Sequence, residues 1–360
     1  MKDLPDIVDA ITSMGEPAAL ATLVRVTGSA YRKPGARMIF GADGLRRGLI
    51  SAGCLEADVL ERLDSVLAGE RPQVVKYNMG SELDLVWGTG MGCEGTVEVL
   101  LERVAPGEVP EWMNQCRELL VQRRTGVVAT VFAARGAELP LGSGWMVGGA
   151  PPGPFAEQPL FLASLGEAAA AVLAKGAAVP VTLAAAGGEA DVLLVPILPP
   201  LALWIWGAGE PSRPIAAMAH QMGWFVGVAD HRPALVTRER FPGADRLAVG
   251  PPAESLRSLP FDRRSAALVL SHVFERDREA LEELVKAPLG YLGLQGNRKR
   301  CAKLLANLDP ADVHAPAGLD LGADTPEAIG LSMLAEILAT LTGRPATSLR
   351  EGTGPIHPPS

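Results

Sequence analysis

Apolar residues recur along this chain with two periods, and the rhythm changes just past the middle. Leu4, Ile7, Val8, Ile11 and Met14 share one helical face. Asp3 stands where a cap would, and Pro5 suits a first turn. Residues 19–26 run apolar and read as a strand, and strands over 36–41 and 45–50 flank Asp43-Gly44, a hairpin signal. Leu55, Val59, Leu60, Leu63, Val66 and Leu67 stripe one helix. Strands over 73–77 and 96–102, a helix over 111–124 and a strand over 127–134 follow. The glycine- and proline-rich stretch 142–160 reads as loop or irregular hairpin, before a helix over 166–175 and strands near 179–184 and 191–196. This half is expected to be an N-terminal α+β domain with a mixed sheet, or an antiparallel one.

Pro199-Pro200 marks a boundary. Beyond it, strands over 201–206, 224–229, 246–249, 266–271 and 290–294 alternate with helices over 211–222, 276–286 and 297–307, and a last helix covers 325–342. That alternation predicts a doubly wound parallel sheet of at least five strands in the order 3-2-1-4-5. The expected division is 1–198, 199–345 and a loose tail over 346–360.

Composition narrows the function classes. A 360-residue chain with 48% hydrophobic residues can bury two cores. A net charge of −8 argues against nucleic acid, whose phosphates need a basic face, but leaves room for a small anion at a local arginine cluster. No run of 18 apolar residues occurs, so no membrane partner is expected, and the Met-Lys-Asp-Leu-Pro-Asp start is unlike a signal peptide. Cys54, Cys93, Cys116 and Cys301 form no zinc spacing and no C-x-x-C pair, which suits free thiols and a cytoplasmic setting.

Two of those cysteines sit in turns of small residues: Ser51-Ala52-Gly53-Cys54-Leu55-Glu56, directly before a helix, and Gly88-Thr89-Gly90-Met91-Gly92-Cys93-Glu94-Gly95. Small residues let a ligand approach the backbone, and a helix N-terminus favours a thiolate or phosphate. Such thiols should have lowered pKa values, and Cys54 and Cys93 are candidate metal contacts. Cys116 and Cys301 fall on apolar helix faces and read as core. Arg25, Arg32, Lys33 and Arg37 surround Gly28-Ser29-Ala30-Tyr31, a loop able to cradle phosphate.

In the second half, Gly207-Ala208-Gly209 follows a strand and precedes a helix, and Asp230 ends the next strand. This is the layout of a Rossmann-like dinucleotide site, with Ser212 in place of the third glycine. It makes NAD(P) or another nucleotide a possible ligand. Arg298, Lys299 and Arg300 open a helix against its dipole, a conflict that a docked anion would relieve. His272 follows another strand as a polar ligand contact or a satisfied strand end, and His314 and Asp320 flank a turn that could bring both to the same edge.

Taken in order, Arg32-Lys33-Pro34-Gly35-Ala36-Arg37-Met38, Ser51-Ala52-Gly53-Cys54-Leu55-Glu56, Gly90-Met91-Gly92-Cys93, Gly207-Ala208-Gly209, Asp230-His231-Arg232-Pro233, Tyr291-Leu292-Gly293-Leu294, His314-Ala315-Pro316 and Gly318-Leu319-Asp320-Leu321-Gly322 resemble the XdhC/CoxI family. These are accessory factors of xanthine dehydrogenase and related molybdenum hydroxylases. The chain departs from the family at Ala52, Ala30-Tyr31, Glu94 and Glu210. The resemblance implies a chaperone that binds molybdenum cofactor (molybdopterin), keeps it from oxidation, supports its sulfuration with sulfur from a cysteine desulfurase, and delivers it to an apo-hydroxylase. The cofactor-binding residues would be drawn from Arg32, Lys33, Arg37, Ser51, Gly53, Cys54, Gly90, Gly92, Cys93, Gly207, Gly209, Asp230, His272 and Arg298. A homodimer is expected. Two other readings are an NAD(P)-dependent oxidoreductase, which lacks a Tyr-x-x-x-Lys pair here, and a scaffold joining desulfurase and client enzyme.

Overall fold

The computed structural model describes residues 3–352 apart from 29, 42, 70, 79–94, 138, 143, 152, 258, 307 and 309–312, and describes Cys54 by its backbone alone. The chain divides into two compact units, one ending at Pro199 and one beginning at Pro200.

The first unit starts with α1 (Leu4–Ser13), β1 (Ala18–Gly28), β2 (Arg37–Gly41) and β3 (Arg46–Gly48). There follow α2 (Cys54–Glu61), α3 (Leu63–Ala68), β4 (Gln73–Asn78), β5 (Gly95–Val104) and α4 (Glu111–Val121). The unit closes with β6 (Gly126–Arg135), β7 (Gly144–Met146), α5 (Pro159–Lys175), β8 (Val179–Ala185) and β9 (Gly188–Ile197). Among the described residues these strands form two sheets, ordered β3-β2-β1-β5-β4 and β7-β6-β9-β8. Every ladder is antiparallel. Tight returns such as the one between β8 and β9 allow nothing else, because a parallel pair needs a long crossover.

Three local expectations change. Asp3 makes no cap bond; its backbone is already helical, and its carboxylate accepts from Arg32 Nη2 at 2.9 Å. The single helix striped from Leu55 to Leu67 is broken at Arg62, whose N–H is shared between the carbonyls of Asp58 and Leu60. The stretch 142–160 holds β7 and a 3₁₀ turn over Gly153–Glu157, and α5 begins at Pro159 rather than 166. Buried Trp145, Phe155 and Phe161, with ring centroids 4.9 and 5.7 Å apart, anchor that stretch.

One core lies where α1 and α4 meet the inner faces of both sheets, with Leu20, Ile39 and Leu100 of one sheet against Phe132 and Leu193 of the other. Cys116 belongs to it. The opposite face of the five-stranded sheet packs on α2 and α3 through Phe40, Val59 and Val66.

The second unit runs β10 (Ala202–Trp206), α6 (Ser212–Gln221), β11 (Phe225–Asp230), β12 (Arg246–Val249), α7 (Pro252–Ser255) and β13 (Ser265–Val269). It continues through α8 (Phe274–Leu284), β14 (Tyr291–Leu294), α9 (Arg298–Leu305), β15 (Val313–His314) and α10 (Pro326–Thr342). The sheet is parallel throughout, in the order β12-β11-β10-β13-β14-β15. The expected 3-2-1-4-5 order is present, extended by a sixth strand of two residues, too short to show a period. Leu203 and Ile205 face Ile215 of α6 and Ile337 of α10, while Trp204 and Trp206 face Leu281 of α8 and Leu304 of α9. Cys301 is buried in this second layer. Burial on both faces is why these strands read as continuous apolar runs.

Candidate functional site

In the first unit the Ser51–Cys54 turn is held by a buried carboxylate. Glu56, 6% exposed, accepts from the N–H groups of Ile50 (3.3 Å) and Ser51 (2.8 Å) and from the Ser51 hydroxyl. The Ser51 oxygen in turn accepts from the N–H groups of Gly53 (3.0 Å) and Leu55 (3.1 Å). Gly53 has φ 120°, with nothing within 4 Å of where a Cβ would lie. The chain therefore enters α2 with Cys54 as its first residue and open space beside Gly53. Gly90, Gly92 and Cys93 lie outside the described residues, as does the Cys54 side chain.

The cationic loop after β1 borders a cavity of about 450 Å³. Arg32, Lys33 and Arg37 line it, with Asp3, Leu4 and Val195 among the other walls. Arg32 is bound to Asp3, and Lys33 is exposed. Arg37 is only 4% exposed, and its Nε and Nη2 have no hydrogen-bond partner. Its Nη1 reaches the Gly35 carbonyl at a weak 3.5 Å, and its guanidinium lies 4.6 Å over the Trp112 ring. Burial holds Arg37 below its ordinary range. Burial likewise pushes Glu102, close enough to feel Arg37, up to about 8, and the Cys116 thiol up to about 12. Arg25, read from sequence with this loop, is spent elsewhere: it pairs with Asp191 at 2.8 Å and lies over Phe132.

In the second unit the glycine loop follows β10 at the carboxyl edge of the sheet. Gly207 has φ 113°, and a Cβ there would meet the Ser271 nitrogen at 2.5 Å, so no larger residue fits. The Ser212 hydroxyl donates to the Gly207 carbonyl, and so occupies the place of the missing third glycine. Gly209 is unobstructed apart from Pro211 at 3.6 Å.

Asp230 is fully buried. Its Oδ2 accepts from the Ala208 N–H (2.7 Å) and Arg232 Nη2 (2.7 Å), and its Oδ1 accepts from Arg232 N (2.9 Å) and Nε (3.0 Å). A carboxylate has about four lone-pair sites, and these four bonds fill them. Asp230 thus presents no free oxygen to a ribose hydroxyl, and the residues present do not fit a dinucleotide held in the usual way.

His272 is exposed, with left-handed backbone (φ 61°), directly after the Ser271 segment that abuts Gly207. Ser271 repeats the Ser51 device. Its N–H (3.1 Å) and hydroxyl (2.5 Å) donate to buried Asp277, which also takes Arg300 Nη2 at 2.6 Å. Arg298 and Lys299 are exposed and have no side-chain partner among the described residues. His314 stacks on Tyr291 at 4.3 Å with its Nδ1 3.2 Å from Glu336, and Asp320 is exposed. Sequence reasoning missed Arg232, Glu102 and Asp277; only the alternation of an acid and a following arginine at 230–232 hinted at the first. Among the described residues no group of three or more His, Cys, Asp or Glu is placed to hold a metal ion.

Residues 203–337 match the XdhC Rossmann domain, and residues 12–78 match the XdhC and CoxI family. A probable xanthine dehydrogenase subunit from Bacillus subtilis is 32% identical, over 94% of this chain and 98% of its own. The molybdenum cofactor insertion chaperone PaoD of Escherichia coli is 33% identical over 27% of this chain and 29% of its own. The crystal structure of a xanthine dehydrogenase from Bacillus halodurans superposes with a TM-score of 0.74 at 29% identity, covering 97% of this chain and 98% of that one.

Proposed function

The chain belongs to the XdhC and CoxI family, and we propose on that footing that it is an accessory protein in the maturation of a xanthine dehydrogenase-type molybdenum hydroxylase. In this reading it binds molybdenum cofactor, supports its sulfuration with a cysteine desulfurase as sulfur source, and delivers it to the apo-hydroxylase. It works in the cytoplasm as a homodimer. Among the described residues no helix is long and apolar enough to cross a membrane.

The observation that carries the reading is the Ser51–Cys54 turn. A buried carboxylate, Glu56, is committed to the backbone of that turn, so its shape is held before any ligand arrives. Cys54 then opens a helix, whose N-terminal dipole favours a thiolate or an anion. When bound, the cofactor supplies the metal centre and the dithiolene sulfurs. The chain's own contribution is to bind and orient it, with Ser51 and Gly53 shaping the backbone and Cys54 offering a soft ligand. The relatives named for xanthine dehydrogenase and for cofactor insertion support the same assignment.

Acid-iodine oxidation of the purified protein, followed by fluorescence detection of pterin and metal analysis, tests the proposal. Stoichiometric pterin that is lost in Cys54→Ala is the expected result. A protein that takes up no pterin, yet still binds both desulfurase and hydroxylase, would be a scaffold instead.

A further inference from the structure

We propose that the cavity beside Arg32, Lys33 and Arg37 is a binding site for a phosphate monoester, with Asp3 as an internal competitor that the phosphate displaces from Arg32. The inference rests on the proposed function in one respect: a cofactor with a phosphate tail would place that tail here.

Three cations border one cavity in a chain whose net charge is −8. The innermost of them, Arg37, is buried with two nitrogens lacking any acceptor. A buried guanidinium without a bonded carboxylate is costly. The acid close enough to feel it, Glu102, leaves much of that cost in place, since burial keeps its carboxyl protonated to about pH 8. An anion in the adjoining cavity would supply the missing charge through a medium of low dielectric. Arg32 stands at the same cavity and is only partly exposed, its guanidinium already oriented by the 2.9 Å bond to Asp3. That carboxylate comes from the residue just before α1, where a helical backbone prevents it from capping. The Asp3 carbonyl accepts the Ile7 N–H at the start of α1, but its side chain makes no capping bond and serves as the counter-ion of Arg32. A dianionic phosphate is a stronger acceptor for the same fork.

The size and walls of the cavity select the ligand class. At about 450 Å³ it exceeds what a bare phosphate fills. Leu4, Ile7 and Val195 supply an apolar wall, which suits an organic group carried on the phosphate. A monoester should therefore bind more tightly than inorganic phosphate.

Isothermal titration of the full chain with phenyl phosphate and with inorganic phosphate is the test. The expected result is binding of both, tighter for phenyl phosphate. Arg32→Gln should weaken phenyl phosphate binding about tenfold or more, the loss of a charged hydrogen bond. Asp3→Asn should strengthen it by ~2–5-fold, because a partly exposed competing ion pair is removed. Arg37→Gln should weaken it too; thermal melting of each variant identifies any that fail to fold, and Arg32→Gln and Asp3→Asn, at partly exposed positions, carry the decision. No heat with wild-type protein at millimolar phenyl phosphate overturns the site, and so does weaker or unchanged binding in Asp3→Asn. The probe contains neither pterin nor metal, so its binding is independent of whether the chain carries cofactor. Conversely, pterin retained at wild-type level in Arg32→Gln, together with no phenyl phosphate binding, would sink this site and leave the chaperone reading standing.

Discussion

The turns that lead into α2 and α8 use the same lock to different ends. In each, a serine hydroxyl accepts an N–H two residues on, and the serine's own N–H and hydroxyl donate to a buried carboxylate, Glu56 or Asp277. Glu56 takes neutral donors from its turn, whereas Asp277 also holds Arg300. The first turn passes through glycine at φ 120° in open space, and the second through His272 at φ 61° beside the Gly207 backbone. One lock thus leaves a small, uncluttered turn ending at a cysteine. The other gathers guanidinium and imidazole at a sheet edge. A carboxylate one turn into a helix fixes a loop's shape; whether it also recruits a cation decides the charge the loop presents.

Removing the carboxylates should separate the two cases most strongly. Asp277→Ala strands the Arg300 guanidinium and should cost about 3–5 kcal/mol. Glu56→Ala leaves buried N–H groups unpaired and should cost about 1–3 kcal/mol. Urea denaturation followed by tryptophan fluorescence measures both, and equal losses would break the comparison.

The glycines come next. Gly207→Ala combines backbone strain with a clash against the Ser271 backbone and should cost at least ~2 kcal/mol, whereas Gly53→Ala meets only strain, roughly 1 kcal/mol. Hydrogen exchange resolved to each unit would show whether the first change is confined to residues beyond Pro200.

One carboxyl in each unit should also respond to pH, with opposite sign. Burial raises Glu102 to about 8 from an ordinary value of 4.5, so between these values the unfolded chain gives up the proton and the folded one keeps it. Stability of the first unit should fall as pH rises through that window, by an amount on the order of 1 kcal/mol after allowing for solvent near this half-buried group, and Glu102→Gln should abolish the fall. Asp230 is the reverse case. Burial pushes it up, but hydrogen bonds from Arg232 and the Ala208 N–H outweigh that and hold it below its ordinary 3.8. Its contribution is present above the ordinary carboxylate range and is lost as pH falls through the lowered value. Urea midpoints from pH 3 to 9 in wild type, Glu102→Gln and Asp230→Asn would show whether the slopes differ in sign.

The smallest effect concerns His272. Replacing a non-glycine residue in left-handed backbone with glycine should be neutral or stabilising by up to ~1 kcal/mol. A loss of stability in His272→Gly would mean that the imidazole makes contacts that its exposed position does not suggest.

Much of this was legible in the residues. The parallel sheet announced itself through apolar runs and the glycine loop, because strands buried on both faces leave no polar alternation to misread. The Cys54 turn was legible from its small residues, but its lock was not, since Ser51 and Glu56 look like an ordinary turn and an ordinary helix acid until their bonds are seen. The sequence pattern places the start of α5 too late because Pro159 and the glycine-rich stretch before it resemble loop, although proline in a first turn is compatible with helix.

By itself, then, the sequence determined most of the elements, the order of five strands of the second unit and the family, since these follow from hydrophobic period and from motifs that are local in the chain. Only the tertiary structure decided what the charged groups do. Asp230 turns from a ribose acceptor into the anchor of Arg232, Arg25 is claimed by Asp191, and Arg37 is left buried beside a cavity with bonds unmade. A side chain's charge is written in its residue type, but its partners and its solvation are set by segments that meet only on folding.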